Sequence, residues 1–421
     1  MNNRLRLSSL QSDTFYATLS NGLDVAIFVL MVAIGRFLGE EEFGKLSFVQ
    51  SLAMVFISLG NFGLNPIITR DVSHDRSKAP LYRRSVLPWT ALLSLTALLL
   101  FTGYLYLSSH ANPQLVWIGV AIGFATVFRY LTMTFRAFSQ ALGRFDMEFR
   151  NVLLENILLI PLCLFLLLLG YELLEVALGI AFGRLLGLII QSNSLSAFLG
   201  ENRWHLKPDW ATALTLQKTA IPLGIGIAVA MLSLNIDTIL LTHLTDFSQV
   251  GLYNASFKIF VGLLIIPSIA NSVLLPRIAR ARNSENAIKE FWIGSACLLV
   301  AAAGLVGTLG LFSTEIIITL FGSSYTAAGD LFFWHLVACI PAFQVVIVKT
   351  YFIATGRSQT FLILSLLGLI IRVLLLWIVV PMSGLIGAVQ AIFAAEMITY
   401  LIALTCLQST RGRPTMVARD L

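Results

Sequence analysis

The sequence predicts an all-α, polytopic membrane protein with about twelve transmembrane helices. Of its 421 residues, 57% are hydrophobic and only 12% are charged, and the mean hydropathy is +0.85. Runs of about 20 apolar residues, the length that crosses a bilayer as a helix, recur along the whole chain. The short alternating segments of an outer-membrane barrel are absent from the sequence. These observations exclude a soluble globular protein and favour a helical bundle in a membrane.

Twelve apolar runs define the predicted spans, and short loops connect them. They are 14–38, 47–69, 86–108, 115–138, 151–170, 173–196, 214–242, 250–275, 291–312, 331–354, 358–380 and 384–407. A weak internal repeat, in which Gly44 and Arg70 correspond to Gly251 and Arg277 at one common offset, suggests two halves. We therefore predict an N-terminal six-helix lobe (1–200), a cytoplasmic linker (201–213) and a C-terminal six-helix lobe (214–421).

Boundaries and bends are visible in the same sequence. The first span ends in GRFLGEEEFG (Gly35–Gly44), where three glutamates and two flanking glycines interrupt the apolar pattern. Pro222 and Pro341 lie within spans, where proline bends a helix.

The four cysteines all lie inside apolar runs without ligand-like spacing. We therefore predict no metal site, no disulfide framework and no cofactor.

The basic residues indicate the orientation. They cluster at the N-terminus, in alternate loops such as 70–84 and 277–289, and at the C-terminus, whereas the opposite loops carry Lys45 alone among several acidic residues. By the positive-inside rule, both termini are cytoplasmic. Topology thus explains the net charge of +6, and no nucleic-acid partner needs to be invoked.

Several charged residues fall inside the predicted spans, where a charge is costly unless it has a partner or faces water. They are the bases Arg36, Arg129, Arg136, Arg184, Lys258, Lys349 and Arg372, and the acids Asp24, Glu155, Asp237 and Glu396. Two pairs, Glu155 with Arg184 and Arg372 with Glu396, lie at similar depth on consecutive antiparallel spans. We predict that they are structural ion pairs.

The remaining intramembrane charges are candidate functional residues. Arg129 and Arg136 are seven positions apart and share one helix face. Together with Lys258 and Lys349 they predict a cationic lumen that binds an anion, and phosphate is a natural ligand for arginine clusters. Asp24 and Asp237 are candidates for coupling transport to a proton or sodium gradient, although each can equally be a hydrogen-bonded structural acid.

The motifs of this chain, taken in order, resemble those of a known family. They are GRFLGEEEFG, the Ile236–Leu241 segment, VGLYNASFKI (Val250–Ile259), LLPRIAR (Leu274–Arg280), LFGSSYTAAG (Leu320–Gly329) and GLIGAV (Gly384–Val389). The chain is similar to Wzx-type flippases of the polysaccharide-transport family, in the multidrug/oligosaccharidyl-lipid/polysaccharide (MOP) exporter superfamily.

The resemblance implies a MATE-like fold with a lumen lined by the first, second, seventh and eighth spans. It also implies a polyprenyl-pyrophosphate-linked oligosaccharide as substrate, such as an O-antigen repeat unit of lipopolysaccharide. The substrate would be moved from the inner to the outer leaflet of a bacterial cytoplasmic membrane. Polysaccharide polymerase and assembly proteins are the partners that such a role implies.

The sequence leaves three other functions to be considered. A multidrug exporter of the same superfamily should have an acidic rather than a basic cavity, and a lipid II flippase usually has two further spans. A membrane glycosyltransferase or polymerase commonly has a large extracytoplasmic loop, whereas the longest one here, 313–330, is mostly apolar. The sequence contains no P-loop, HExxH or GxSxG motif, so we predict a transporter rather than an enzyme.

Overall fold

The computed structural model describes residues 2–108, 112–200, 208–281 and 285–409. Within these ranges the secondary structure is helical and contains no strand. The α-helices are α1 (Asn2–Ser58), α2 (Leu64–His74), α3 (Ala79–Ser108), α4 (Pro113–Ala141), α5 (Phe145–Leu168), α6 (Leu173–Leu199), α7 (Trp210–Leu244), α8 (Phe247–Leu263), α9 (Ile265–Arg280), α10 (Glu285–Leu309), α11 (Ser313–Phe321), α12 (Ala328–Ala354) and α13 (Ser358–Ser409). The predicted all-α class is confirmed.

Two of these helices are too long for one membrane crossing. At 1.5 Å per residue, the 57 residues of α1 and the 52 of α13 would extend about 85 and 78 Å, against a hydrocarbon core of about 30 Å. Each is broken at a glycine with positive φ: Gly39 (φ 83°) in α1 and Gly384 (φ 60°) in α13. Because these backbone conformations strain other residues, the glycines divide each helix into two spans.

Nine helices in the described ranges are long and apolar enough to cross a membrane, with Ser358–Gln408 counted once and α8 and α9 counted together. Each of the twelve predicted spans coincides with helix when α1 and α13 are divided at their glycines. One predicted span, 47–69, is interrupted. The chain leaves helical geometry between α1 and α2, where Phe62 (φ 32°) and Gly63 (φ 86°) adopt positive φ.

The chain forms two compact units, Met1–Asn235 and Ile236–Leu421. The division lies inside α7, so the first part of that helix packs with the first unit. The predicted linker, 201–213, lies partly outside the described residues. The boundaries of the two predicted lobes therefore stay a prediction.

In the first unit, α4 is the central helix. It contacts α1, α2, α3, α5 and α6, and about half of its residues are buried, many of them Gly, Ala, Ser or Thr. Small side chains let helices approach closely in a membrane, where packing rather than hydrophobicity drives association. Any charge on α4 is thereby held inside the bundle.

In the second unit, α12 is the central helix. It contacts α8, α9, α10, α11 and α13, and most of its side chains are buried. A helix that is apolar around its whole circumference is typical of the centre of a bundle. Lys349, on α12, is therefore positioned by a buried helix.

A row of glycines brings α5 and α6 together. Gly179, Gly183 and Gly187 recur every four residues along α6. A Cβ at Gly183 would lie 2.8 Å from Cβ of Leu159, and one at Gly187 would lie 2.6 Å from Cδ of Glu155. The missing side chains make room for α5, so the carboxylate of Glu155 reaches the surface of α6.

Candidate functional site

Two adjoining polar cavities lie inside the first unit. The larger, of about 30 Å³, is lined by residues of α1, α4, α5 and α6, including Gln50 and Thr126. The smaller, of about 10 Å³, is lined by residues of α4, α5 and α6. Arg129 and Arg184 line both cavities. The two cavities therefore share charged side chains of α4 and α6, and the smaller one also contains a charge from α5.

The structure brings four of the sequence-predicted residues into the smaller cavity. Arg129 and Arg136 of α4, Glu155 of α5 and Arg184 of α6 all line it. Arg184 donates a hydrogen bond from Nη1 to Oε1 of Glu155, and both side chains are almost completely buried. A buried ion pair of this kind avoids the cost of an isolated charge in the membrane.

Arg136 is already bound to a carboxylate within the protein. Its Nε donates to Oε1 of Glu148 over 2.9 Å, and Nε2 of Gln140 donates to the same oxygen over 2.9 Å. Sequence reasoning placed Glu148 in a loop and missed this partner. The structure has Glu148 in the first turn of α5 and 1% exposed. An incoming anion would have to compete with Glu148 for Arg136, whereas Arg129 lines both cavities.

Among the described side chains of this region, positive charges outnumber negative ones. Arg129, Arg136 and Arg184 carry three positive charges, against the negative charges of Glu148 and Glu155. In a low-dielectric interior, these five side chains favour an anionic over a cationic ligand. Guanidinium groups also offer paired donors that match the oxygens of phosphate.

In the second unit, the structure brings Asp237 and Arg372 together. Asp237 is 0% exposed. Its Oδ1 accepts from Nε of Arg372 over 2.7 Å, and its Oδ2 accepts from Nη2 of Arg372 and from the hydroxyl of Tyr253, the latter over 3.1 Å. Three donors therefore hold the carboxylate of Asp237 in place. Asp237 therefore has protein partners, as expected of a structural acid, and its role in ion coupling stays a prediction.

The predicted pair of Arg372 with Glu396 is the weaker of two contacts. Nη1 of Arg372 lies 3.6 Å from Oε1 of Glu396, whereas both oxygens of Asp237 bind Arg372 directly. Lys349 lies within electrostatic range of Glu396 and Arg372. The result is a cluster of two bases and two acids, Lys349, Arg372, Asp237 and Glu396, whose formal charges cancel.

Two predicted residues remain, Lys258 and Asp24. Lys258 is half-buried on α8, one turn after Asn254, whose Oδ1 accepts from the hydroxyl of Thr238 over 3.1 Å. Asp24 belongs to α1, but its side chain lies outside the described part of the structure.

Sequence reasoning also missed a buried histidine. His335 of α12 is 0% exposed, and its ring packs against Tyr253, Phe257 and Phe260. Its Nδ1 lies 2.9 Å from the carbonyl oxygen of Leu331 and donates to it. A lone histidine in an apolar run gives no signal in the sequence that would distinguish it from a core residue.

Comparison with known proteins identifies the family. The chain matches the sequence model of the family described as polysaccharide biosynthesis protein over residues 10–282, which is more than half of its length. The chain belongs to this family. No curated protein matches the chain.

Solved structures of the MOP superfamily share the fold of this family member. It is similar to an inward-facing multidrug-resistance MATE transporter, with 16% identity over 93% of this chain and 96% of that chain and a TM-score of 0.70. It is similar to the lipid II flippase MurJ in an inward closed conformation, with 15% identity over 92% and 87% and a TM-score of 0.66. A MOP transporter from Pyrococcus furiosus gives 16% identity over 96% of both chains and a TM-score of 0.64.

These similarities establish the fold and, with the family match, confirm the resemblance inferred from the motifs. The chain has the two-lobe MOP fold and is a multi-pass membrane protein. At identities of 14–17% the similarity carries no ligand from one protein to another.

Proposed function

We propose that this protein is a flippase for a polyprenyl-pyrophosphate-linked oligosaccharide, such as an O-antigen repeat unit, in a bacterial cytoplasmic membrane. The observation that carries the proposal is the arginine-lined cavity of the first unit in a member of a polysaccharide biosynthesis family. A lipid-linked sugar does not cross hydrocarbon unaided, because its pyrophosphate and hydroxyl groups would lose their hydration. Guanidinium groups inside the protein can replace that hydration for the phosphates.

The proposed mechanism is alternating access. In MOP-like transporters with repeated halves, rocking of one half exposes a central site to each side of the membrane in turn. No covalent step is required, so the side chains need only bind and release the head group. In the first unit, Arg129 provides the primary phosphate contact, with Arg184 beside it. In the second unit, Lys258 and Lys349 stay the predicted cationic contacts.

An ion gradient drives the proposed transport. A proton or sodium gradient is the natural energy source, because the sequence has no nucleotide-binding P-loop. Asp237 is engaged by Arg372 and Tyr253, so Asp24 is the preferred candidate for coupling. Neutralising Asp24 should then slow export without changing its sugar specificity.

Multidrug export is the second candidate function. It is supported by the similarity of the fold to that of a multidrug-resistance MATE transporter, with a TM-score of 0.70. Cationic drugs would be repelled by the positive balance of the first unit, which is why we place this function second. Growth assays with cationic dyes in a strain that lacks its own exporters would reveal such an activity.

The test is complementation of surface polysaccharide in a flippase-null strain, with membrane levels of each variant measured in parallel. We expect Arg129→Ala to lower export by about tenfold to a hundredfold, because a hydrogen bond to a charged group contributes about 1.5–3 kcal/mol. Arg129→Lys should retain partial export, since a lysine keeps the charge but loses the paired donors. Arg150→Ala, at an exposed position on α5, is the matched control and should export normally. Normal export by Arg129→Ala at normal membrane levels would exclude Arg129 as the phosphate contact.

A further inference from the structure

Two residues that line the smaller cavity each have a buried polar atom without a hydrogen-bond partner in the described structure. The atoms are Oγ1 of Thr132 on α4 and Oδ1 of Asn156 on α5. The two residues are only 4% and 6% exposed. Buried polar atoms are nearly always paired in proteins, so two unpaired atoms lining one cavity indicate a missing ligand.

The orientation of each group is fixed by its surroundings. Nδ2 of Asn156 donates to the carbonyl oxygen of Leu23 over 3.3 Å, which leaves Oδ1 as an acceptor toward the cavity. Thr126 and Thr134, on the same helix as Thr132, donate to the carbonyl one turn earlier, over 2.7 and 3.2 Å. Thr132 makes no such bond, so its hydroxyl is available to the cavity.

The chemistry of the lining selects the kind of group that fits. A metal cation is disfavoured by the guanidinium groups of Arg129, Arg136 and Arg184, which line the same cavity. A bare anion would accept from the guanidinium groups but would leave the Asn156 oxygen, an acceptor, without a donor. A group that both donates and accepts satisfies every lining atom, and a hydroxyl is such a group. The volume of about 10 Å³ accommodates one group the size of a water molecule.

We propose that Thr132 and Asn156 form a hydroxyl-binding subsite that recognises a sugar hydroxyl next to the phosphates held by Arg129 and Arg184. This inference rests on the proposed function. The subsite would explain how the same site distinguishes a sugar phosphate from a phosphate alone. A water molecule has the same chemistry and occupies the subsite when no sugar is bound. A sugar ring is larger than either cavity, so the side chains around the site rearrange when substrate binds.

Binding to the purified full-length protein in detergent tests the subsite. The probes are inorganic phosphate and three sugar 1-phosphates, those of glucose, galactose and N-acetylglucosamine, with Tm as the readout. A ligand that binds the folded state raises Tm in proportion to its affinity and concentration. For the wild type we expect at least one sugar 1-phosphate to bind about tenfold more tightly than phosphate, as its larger Tm shift reports.

The variants separate the two parts of the site. Thr132→Val and Asn156→Leu replace each polar group with an apolar one of similar size, and both should fold because they remove an unpaired buried atom. We expect both to keep the phosphate shift and to lose the additional shift from the sugar. Thr90→Val is the matched control, because the buried hydroxyl of Thr90 bonds only to the carbonyls of Val86 and Leu87. This control should keep both shifts.

Three outcomes would overturn the subsite. One is equal binding of phosphate and of every sugar 1-phosphate by the wild type, which means that water alone fills the cavity. Another is an unchanged sugar increment in Thr132→Val and Asn156→Leu. The third is a Tm that depends on sodium rather than choline chloride, which indicates a cation site. The proposed function is tested separately, because its failure appears as a lack of complementation by the wild type whatever the binding result.

Discussion

At the residue scale, the membrane-embedded charges are tolerated because most of them meet a partner inside their own unit. Glu155 and Arg184 bind each other across the closely packed α5–α6 interface, and Asp237 binds Arg372 with two hydrogen bonds. Such pairs contribute little net stability, because the cost of removing both charges from water offsets their attraction. Loss of one member is different, since it leaves a single buried charge.

The first prediction follows from this asymmetry and concerns Glu155 and Arg184. Arg184→Met should destabilise the protein by about 3–5 kcal/mol, because the carboxylate of Glu155 is then buried without its cation. The double variant Glu155→Gln with Arg184→Met should recover much of that loss. Thermal unfolding in detergent measures both effects, together with the amount of protein in the membrane.

Arg70→Met is the matched control for this prediction. Arg70 also pairs with a carboxylate, at 2.7 Å from Asp71, but its side chain is 66% exposed. Its replacement should leave the unfolding temperature unchanged within error, since exposed pairs are screened by water. If Arg184→Met and the double variant Glu155→Gln with Arg184→Met lose equal stability, the charges of Glu155 and Arg184 do not compensate each other.

Sequence reasoning succeeds at this scale where spacing alone decides the geometry. Arg129 and Arg136 are seven positions apart on one helix, and both line the smaller cavity. Reasoning from consecutive spans also placed Glu155 near Arg184. It missed the contact between Arg372 and Asp237, which are 135 positions apart, because helix order in a bundle is not encoded in local periodicity. It missed Glu148 because the predicted span began at residue 151.

At the element scale, the α5–α6 interface depends on the small size of three glycines on α6. Gly183 lies against Leu159 and Gly187 against Glu155, both closer than any side chain would permit. These contacts hold Glu155 at the depth of Arg184. The packing of two helices and the pairing of two charges are therefore one structural feature.

The second prediction ranks three glycine-to-alanine substitutions. Gly183→Ala should destabilise the protein most, by about 1–3 kcal/mol, because its new methyl would meet the backbone of Leu159 at 3.0 Å. Gly187→Ala should destabilise the protein less, because its new methyl meets only the side chain of Glu155, which can move. Gly226→Ala, with nothing within 4 Å, should be neutral or slightly stabilising, as expected of alanine in a helix. Thermal unfolding establishes the order, and equal stability of the Gly183 and Gly226 variants would contradict it.

The helices themselves were largely predictable, and the breaks were less so. Apolar length predicted each span, and GRFLGEEEFG located the break at Gly39. The interruption between α1 and α2 was not predicted, because Phe62 is a bulky residue with no turn preference that adopts positive φ. Likewise, the predicted span 250–275 consists of two helices, α8 and α9, that meet at Leu264. Tertiary packing rather than local sequence preference decides such breaks.

At the scale of the whole molecule, the loop charges determine how the protein is inserted. Basic residues gather in alternate connections, as in Arg76–Lys78 and Arg277–Arg280, and the opposite connections are acidic or neutral. The family and the fold follow from the comparisons, but they leave the orientation as a prediction from the positive-inside rule. Orientation matters for the proposed function, because it decides which leaflet supplies the substrate.

The third prediction therefore concerns topology. In a variant whose four native cysteines are replaced, single cysteines at Ser383 and Ser324 should react with an impermeant thiol reagent in intact cells. A cysteine at Ser77 should react only after the membrane is permeabilised. All three positions are exposed in connections between helices or at a helix bend, so the side of the membrane rather than burial decides their reactivity. Labelling of Ser77→Cys alone in intact cells would reverse the orientation, and with it the direction in which the proposed substrate is moved.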